Sequence, residues 1–235
     1  GSISKARLDD AVRRILRVKM QIGLLDGKKP HEYKYNFIGA PEHTKIARRA
    51  VRESLVLLKN NENLLPIDPT KHFVIVGDSA QSINSQMGGW TITWQARENK
   101  NSDYKNVQNI YSALASNIVN QGGTVEFSKD GSYKKKPDAV IAVYGEEPYA
   151  EGDGDRKDLQ FLSKDSTYLK IMESFNTQEF PIISIFLSGR PLEINRQLNL
   201  SNSFVAAWLP GTAVEGIGDV IFTKNDQVNY DFKGK

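Results

Sequence analysis

Ala139-Val-Ile-Ala-Val-Tyr144, followed by Gly145-Glu-Glu-Pro-Tyr-Ala-Glu151-Gly-Asp-Gly-Asp-Arg156, is the stretch from which the architecture is read. A continuous apolar run without alternation predicts a strand buried on both faces, as in a parallel sheet covered by helices. The loop after it holds five carboxylates, Glu146, Glu147, Glu151, Asp153 and Asp155, with Pro148, Gly152 and Gly154 between them. In open α/β sheets ligands bind outside the carboxyl ends of the strands. Carboxylates gathered there are candidates for general acid/base work.

Working outward, the same pattern repeats. Phe73-Val-Ile-Val76, Thr124-Val-Glu-Phe127, Pro181-Ile-Ile-Ser-Ile-Phe-Leu187 and Phe204-Val-Ala-Ala-Trp-Leu209 read as further strands, and Leu55-Val-Leu-Leu58 as a short one. Between them, helical spacing predicts helices over 107–121, with Ile110, Leu114 and Ile118 in register, over 166–176 and over 215–222. Apolar strands alternating with helices predict an α/β fold: a mostly parallel six-stranded sheet sandwiched by helices. Ahead of it, residues 4–22 read as an amphipathic helix with Leu8, Val12, Ile15, Leu16 and Met20 on one face, stopped by Gly23. Residues 26–42 are polar, with Pro30 and Pro41, and a second helix is expected over about 42–53.

The 235 residues are 39% hydrophobic and 25% charged, with a formal net charge of +3. That is enough for one large α/β domain and an extra segment. The one basic run, Lys134-Lys135-Lys136, precedes Pro137 and reads as a solvated turn, not a nucleic-acid patch. Cysteine is absent, which rules out disulfides and thiolate metal sites. No apolar stretch approaches the ~20 residues needed to span a bilayer, so no membrane contact is expected. The N-terminus does not read as a signal peptide, and Gly1-Ser2 reads as a remnant of tag removal, with native targeting signals expected to lie outside this sequence.

Several constellations compete for a role. Gly77-Asp-Ser-Ala80 lacks the spacing of a dinucleotide turn, no phosphate loop occurs, and no cofactor is expected. Trp90 and Trp94 lie four apart in Gly88-Gly-Trp-Thr-Ile-Thr-Trp-Gln95, either as sugar-stacking faces or as packing residues of an ordered loop. Arg190, in Ser188-Gly-Arg-Pro191, could touch a ligand hydroxyl, but an ion pair holding a carboxylate loop is the stronger reading. Glu215 could support a helix start. His31, His43 and His72 show no metal-ligand spacing and read as ordinary surface or helix residues.

Taken together, these segments resemble the second half of a glycoside hydrolase family 3 enzyme of the exo-acting β-glucosidase and β-glucan glucohydrolase group. The similar stretches are Leu8-Asp-Asp-Ala-Val-Arg-Arg-Ile-Leu16, Gly23-Leu-Leu25, Ser54-Leu-Val-Leu-Leu-Lys-Asn60, Leu64-Leu-Pro66 and Gly89-Trp-Thr-Ile-Thr-Trp-Gln95. They continue through Gly145–Glu151, Leu187-Ser-Gly-Arg-Pro-Leu192, Ala207-Trp-Leu-Pro-Gly211 and Asn229-Tyr-Asp-Phe232.

The resemblance implies that residues 1–25 are the last helix of a (β/α)8-type barrel otherwise outside this sequence, 26–45 an interdomain linker, and 46–235 the α/β sandwich. It implies a retaining hydrolase that releases glucose from the non-reducing ends of β-glucans or β-glucosides. An aspartate of the barrel would be the nucleophile and Glu151 the acid/base, with Glu146 the rival within the loop. Trp94 would stack on the leaving sugar, with Trp90 beside it and Arg190 counted among the substrate-binding residues. Gly152 and Gly154 would leave the loop free to reach the barrel. The implied partners are a β-glucan or β-glucoside oligosaccharide and the barrel domain, and the implied location is periplasmic or secreted, in a bacterium. Gly211-Thr-Ala-Val-Glu-Gly216 departs from the family's shorter form of that turn. Two alternatives stand beside this reading: a non-catalytic carbohydrate-binding or interaction module, and, on fold class alone, a flavodoxin-like nucleotide domain.

Overall fold

The computed structural model describes residues 2–27, 29, 37–161 and 167–235. Lys28 and residues 30–36 of the expected linker, Pro30 and His31 among them, and the expected helix start at Ser166 lie outside the described residues. The chain divides into two compact units, residues 1–43 and 44–235.

In the first unit, helix α1 (Lys5–Gln21) starts at Ser4, whose hydroxyl accepts the Arg7 N–H at 3.3 Å. Gly23 ends it with a φ of 78°. The expected apolar face is present, and Leu8, Val12, Ile15, Leu16 and Met20 are all exposed.

Helix α2 (Pro41–Ser54) begins inside the stretch expected to be linker. The second unit is built on strands β1 (Val56–Asn60), β2 (His72–Val76), β3 (Thr124–Phe127), β4 (Ala139–Gly145), β5 (Ile182–Leu187) and β6 (Ser203–Trp208). They form one six-stranded sheet in the order β1-β6-β5-β4-β2-β3. Every pairing is parallel except β1 with β6, which is antiparallel. Helices α3 (Ile83–Met87), α4 (Ile110–Asn120), α5 (Thr167–Thr177), α6 (Asn195–Leu200) and α7 (Glu215–Ile221) complete the unit, with a short hairpin of β7 (Thr223–Lys224) and β8 (Gln227–Val228).

The pleat explains the continuous apolar runs. Along β2, Phe73 and Ile75 join a core layer with α4 and α7, while Val74 and Val76 join the opposite layer with α5. Along β4, Ile141 and Val143 face the first layer, and Val140, Ala142 and Tyr144 the second. Both faces are buried, so neither can carry polar alternation.

Three expectations are corrected, and three short elements were not expected. Helix α4 starts at Ile110 and not at Val107, because the Asn109 side chain caps it by accepting the Ser112 N–H at 2.7 Å. The first strand runs Val56–Asn60, one residue later at its start and two at its end than expected. Helices α3 and α6, of five and six residues, and the β7–β8 hairpin are too short to leave a periodic signal. His72 is no surface or helix residue: it is 3% exposed on β2, with Nδ1 2.8 Å from Thr124 Oγ1 and Nε2 3.2 Å from Glu126 Oε1.

The chain goes from β2 out to β3 at one edge, then back across β2 to β4. The carboxyl ends of β2 and β4 therefore flank the point where strand order reverses, which is where α/β sheets bind ligands. Gly77, which ends β2, has a φ of 101°, and a Cβ there would overlap the Val143 carbonyl oxygen. Close approach of β2 to β4 thus accounts for this glycine without a phosphate.

Candidate active site

Two loops meet at the carboxyl edge of the sheet. The acid loop leaves β4 at Gly145 and turns through a short 3-10 segment, Glu151–Gly154. The aromatic loop follows α3 and carries Trp90, Ile92 and Trp94, exposed at 66%, 63% and 53%. With rings this exposed, neither tryptophan packs into the core of this unit. Their ring centroids are 6.1 Å apart, and the Trp90 N–H donates to the Trp94 carbonyl at 2.9 Å.

The aromatic loop is held in a conformation it would not choose alone. Trp90, Ile92 and Ala96 have φ of 63°, 63° and 62°, a region that bulky and β-branched residues avoid. Asn99 over-determines it. Its Nδ2 donates to the Thr91 carbonyl at 2.7 Å and to Tyr104 Oη at 2.9 Å, and its Oδ1 accepts from Thr93 Oγ1 at 2.7 Å. Tyr104 in turn donates to Asn84 Oδ1 of α3 at 2.8 Å. Buried Gln86 donates from Nε2 to the carbonyls of Gln108 at 2.9 Å and Gly211 at 3.0 Å, anchoring the base of the loop.

The acid loop is clamped to it. Gln95 exchanges two hydrogen bonds with the backbone of Ala150. Arg97 donates from Nε to the Pro148 carbonyl and from Nη1 to Asp153 Oδ2, both at 2.9 Å. Gly89 packs so closely that a Cβ there would overlap the Tyr149 carbonyl oxygen. Glu146, Tyr149, Gly88, Gly89, Gly189 and Leu209 line a cavity of about 200 Å³ between these elements.

Arg190 is engaged by the acid loop. Its Nε lies 3.4 Å from Glu146 Oε1, its Nη1 donates to the Gly154 carbonyl at 2.6 Å, and its guanidinium stacks on the Tyr149 ring at 4.1 Å. Arg156 adds a second cation, 3.6 Å from Glu146. Gly154 is buried against Tyr149, so of the two glycines expected to loosen the loop only Gly152 stands open.

The carboxylates of the loop are thereby sorted. Glu146 is nine-tenths buried between two arginines, and Asp153 pairs with Arg97. Glu151 and Asp155 are exposed, and among the described residues neither enters an ion pair. Glu151 has a φ of 50°, an uncommon conformation for a side chain of its size. The hydrogen bonds at Ala150 on one side and Gly154 on the other hold it there.

Sequence reasoning quoted Gln95 only as the end of a motif, and it missed Arg97, Asn99 and Gln86. Among the described residues no group of three or more His, Asp or Glu could hold a metal ion. No described helix is long and apolar enough to cross a membrane.

Residues 55–234 match the model of the glycosyl hydrolase family 3 C-terminal domain. The chain is 28% identical to a lysosomal beta glucosidase of Dictyostelium discoideum, over 90% of its own length and 28% of that protein's. It is 26% identical to a periplasmic beta-glucosidase of Salmonella typhimurium, over 94% of its own length and 33% of that protein's. Among solved structures, an exo-1,3/1,4-beta-glucanase from a Pseudoalteromonas species is similar with a TM-score of 0.93 and 43% identity, covering 100% of this chain and 30% of that one. The chain therefore spans about a third of the length of these relatives.

Proposed function

The chain belongs to glycosyl hydrolase family 3, and from that premise we propose that it forms the acid/base side of a retaining β-glucosidase or exo-β-glucanase. One observation carries the reading. Glu151 is an exposed carboxylate outside any ion pair among the described residues, held in a left-handed backbone conformation beside a braced loop with two exposed tryptophans.

Retaining glycosidases use two carboxyl groups about 5 Å apart, one as nucleophile and one to protonate the departing oxygen. In this proposal Glu151 is the second group. The nucleophile is an aspartate of a barrel domain outside these 235 residues, of which α1 is the last helix. Glu146, between two arginines, braces the loop in this proposal, and its pairing counts against it as the acid. Trp94 stacks on the departing sugar, with Trp90 alongside. Arg190 serves the site by holding the acid loop. The relatives' names suggest β-glucosides or β-1,3- and β-1,4-glucans as substrates, and one of them suggests a periplasmic location.

The test is Glu151→Gln in the full-length enzyme. For a β-linked glucose disaccharide, whose leaving group needs a proton, kcat/KM is expected to fall about 10²- to 10⁴-fold. For an activated aryl β-glucoside, whose leaving group does not, it should change little. Equal losses on both substrates would remove Glu151 from the acid role. The exposed tryptophans alone also suit a non-catalytic carbohydrate-binding module, and unchanged turnover of both substrates by Glu151→Gln would favour that reading.

A further inference from the structure

One side chain joins the aromatic loop to the acid loop. Gln95, the residue after Trp94, donates from Nε2 to the Ala150 carbonyl oxygen at 3.0 Å and accepts at Oε1 from the Ala150 N–H at 2.7 Å. A primary amide thereby supplies the reciprocal pair of hydrogen bonds that a neighbouring strand would make. Ala150 is buried, 5% exposed, and immediately precedes Glu151. A non-glycine residue in the left-handed region persists only where its surroundings fix it. Here the peptide entering Glu151 is fixed by Gln95, and Arg97 fixes Pro148 and Asp153 on either side.

We propose that Gln95 is a positioning residue: its amide sets where Glu151 stands relative to Trp94. The ring beneath the departing sugar and the carboxyl that protonates it then move as one body. The role rests on the reading of Glu151 as the acid. It extends that reading by tying recognition of the leaving group to proton delivery. Substrates whose departure needs a proton depend on this coupling, and substrates with activated leaving groups do not.

Gln95→Ala removes both hydrogen bonds, and Gln95→Met removes them while keeping the side-chain volume, so the second variant guards against a collapse of the loop. In the full-length enzyme, both are expected to lower kcat/KM for a β-linked glucose disaccharide about 10- to 100-fold, as for a displaced catalytic group. With an activated aryl β-glucoside the change should stay below about 3-fold, within what independent sites show. Introduced into Glu151→Gln, Gln95→Met should add nothing further on the disaccharide, because the group it positions is gone. Equal losses on both substrates, or losses that multiply in the double variant, would overturn the proposal and leave Gln95 a purely structural residue. Unchanged disaccharide hydrolysis by Gln95→Met, alongside a strong defect in Glu151→Gln, would overturn it too while sparing the acid. If Glu151→Gln itself keeps full disaccharide activity, the acid assignment fails and the positioning role falls with it.

Discussion

Two carboxylates of the same unit are treated in opposite ways. Asp219, on α7, is 6% exposed and accepts from Arg48 Nε at 2.7 Å, Arg48 Nη2 at 2.5 Å and Arg52 Nη1 at 3.0 Å. Its backbone carbonyl accepts from Asn229 Nδ2 at 3.2 Å, and Arg52 stacks on Tyr230 at 4.0 Å, so the C-terminal segment closes over the pair. Burial alone would raise the Asp219 carboxyl's pKa, but the guanidinium hydrogen bonds outweigh it and hold the group below the usual carboxylate range. Glu151 is exposed, and among the described residues it has no ion-pair partner. What is fixed around Glu151 is its backbone and not its charge. A carboxylate neutralised by cations contributes stability, whereas on the proposed reading Glu151, which exchanges a proton with substrate, is left free at the carboxyl and constrained through its backbone.

The largest expected effect sharpens this contrast. Glu151→Gln should lose its disaccharide activity with a change in folding stability within about 0.5 kcal/mol, as for exposed substitutions generally. Asp219→Ala should do the reverse. It leaves two arginines facing a cavity, but Arg48 is 42% exposed and can recover water, so the loss is expected near the lower end for a broken pair, about 2–3 kcal/mol. For a domain of this size that corresponds to a fall in Tm of about 5–10 °C. A melt of each variant checks both statements, and a Glu151→Gln protein as unstable as Asp219→Ala would break the comparison.

Trp94→Ala comes next. Its ring is 53% exposed, so it should melt within about 2 °C of the parent. It should lose about 2- to 10-fold in kcat/KM on the disaccharide, the scale of one aromatic stacking contact. A destabilised variant with intact kinetics would move Trp94 to the packing side of the comparison.

The sheet and these two networks also differ in how far they could be read from the sequence. Strands β2, β4 and β5 announce themselves because burial on both faces leaves them mostly apolar, with His72 and Ser184 the polar members of β2 and β5, and that signal is local. The direction of β1 is not local, since an apolar run has no polarity, and its antiparallel pairing with β6 depends on where the chain returns. Glu151, Trp90, Trp94 and Arg190 were singled out as candidates by their place in loops at the sheet's carboxyl edge and by the family resemblance. Their supports were not, because each acts across a long separation: Gln95 meets Ala150 55 residues on, and Arg48 meets Asp219 171 residues on. His72 was misread for a related reason. Its strand places it under Glu126 and Thr124 of β3, a register that only the paired sheet reveals.

The smallest expected effect isolates the proton on Asp219. Its folded pKa lies below the ordinary value of 3.8, so its contribution to stability is fully present above that value and is lost as pH falls below 3.8 through the folded value. Asp68 and Asp130 shift in the same direction through hydrogen bonds within their own turns, so an acid melt of the parent protein alone would mix these groups. Asp219→Asn separates them, because it leaves every other carboxylate in place and cannot titrate. Between about pH 6 and pH 5 the parent should exceed Asp219→Asn in Tm by a constant margin. Below pH 3.8 that margin should shrink, because protonated Asp219 loses the same charge the asparagine lacks. A margin unchanged down to the lowest pH at which the protein folds would mean that packing of the side chain, not its charge, stabilises α7 against α2. The contrast with Glu151 would then be one of burial alone.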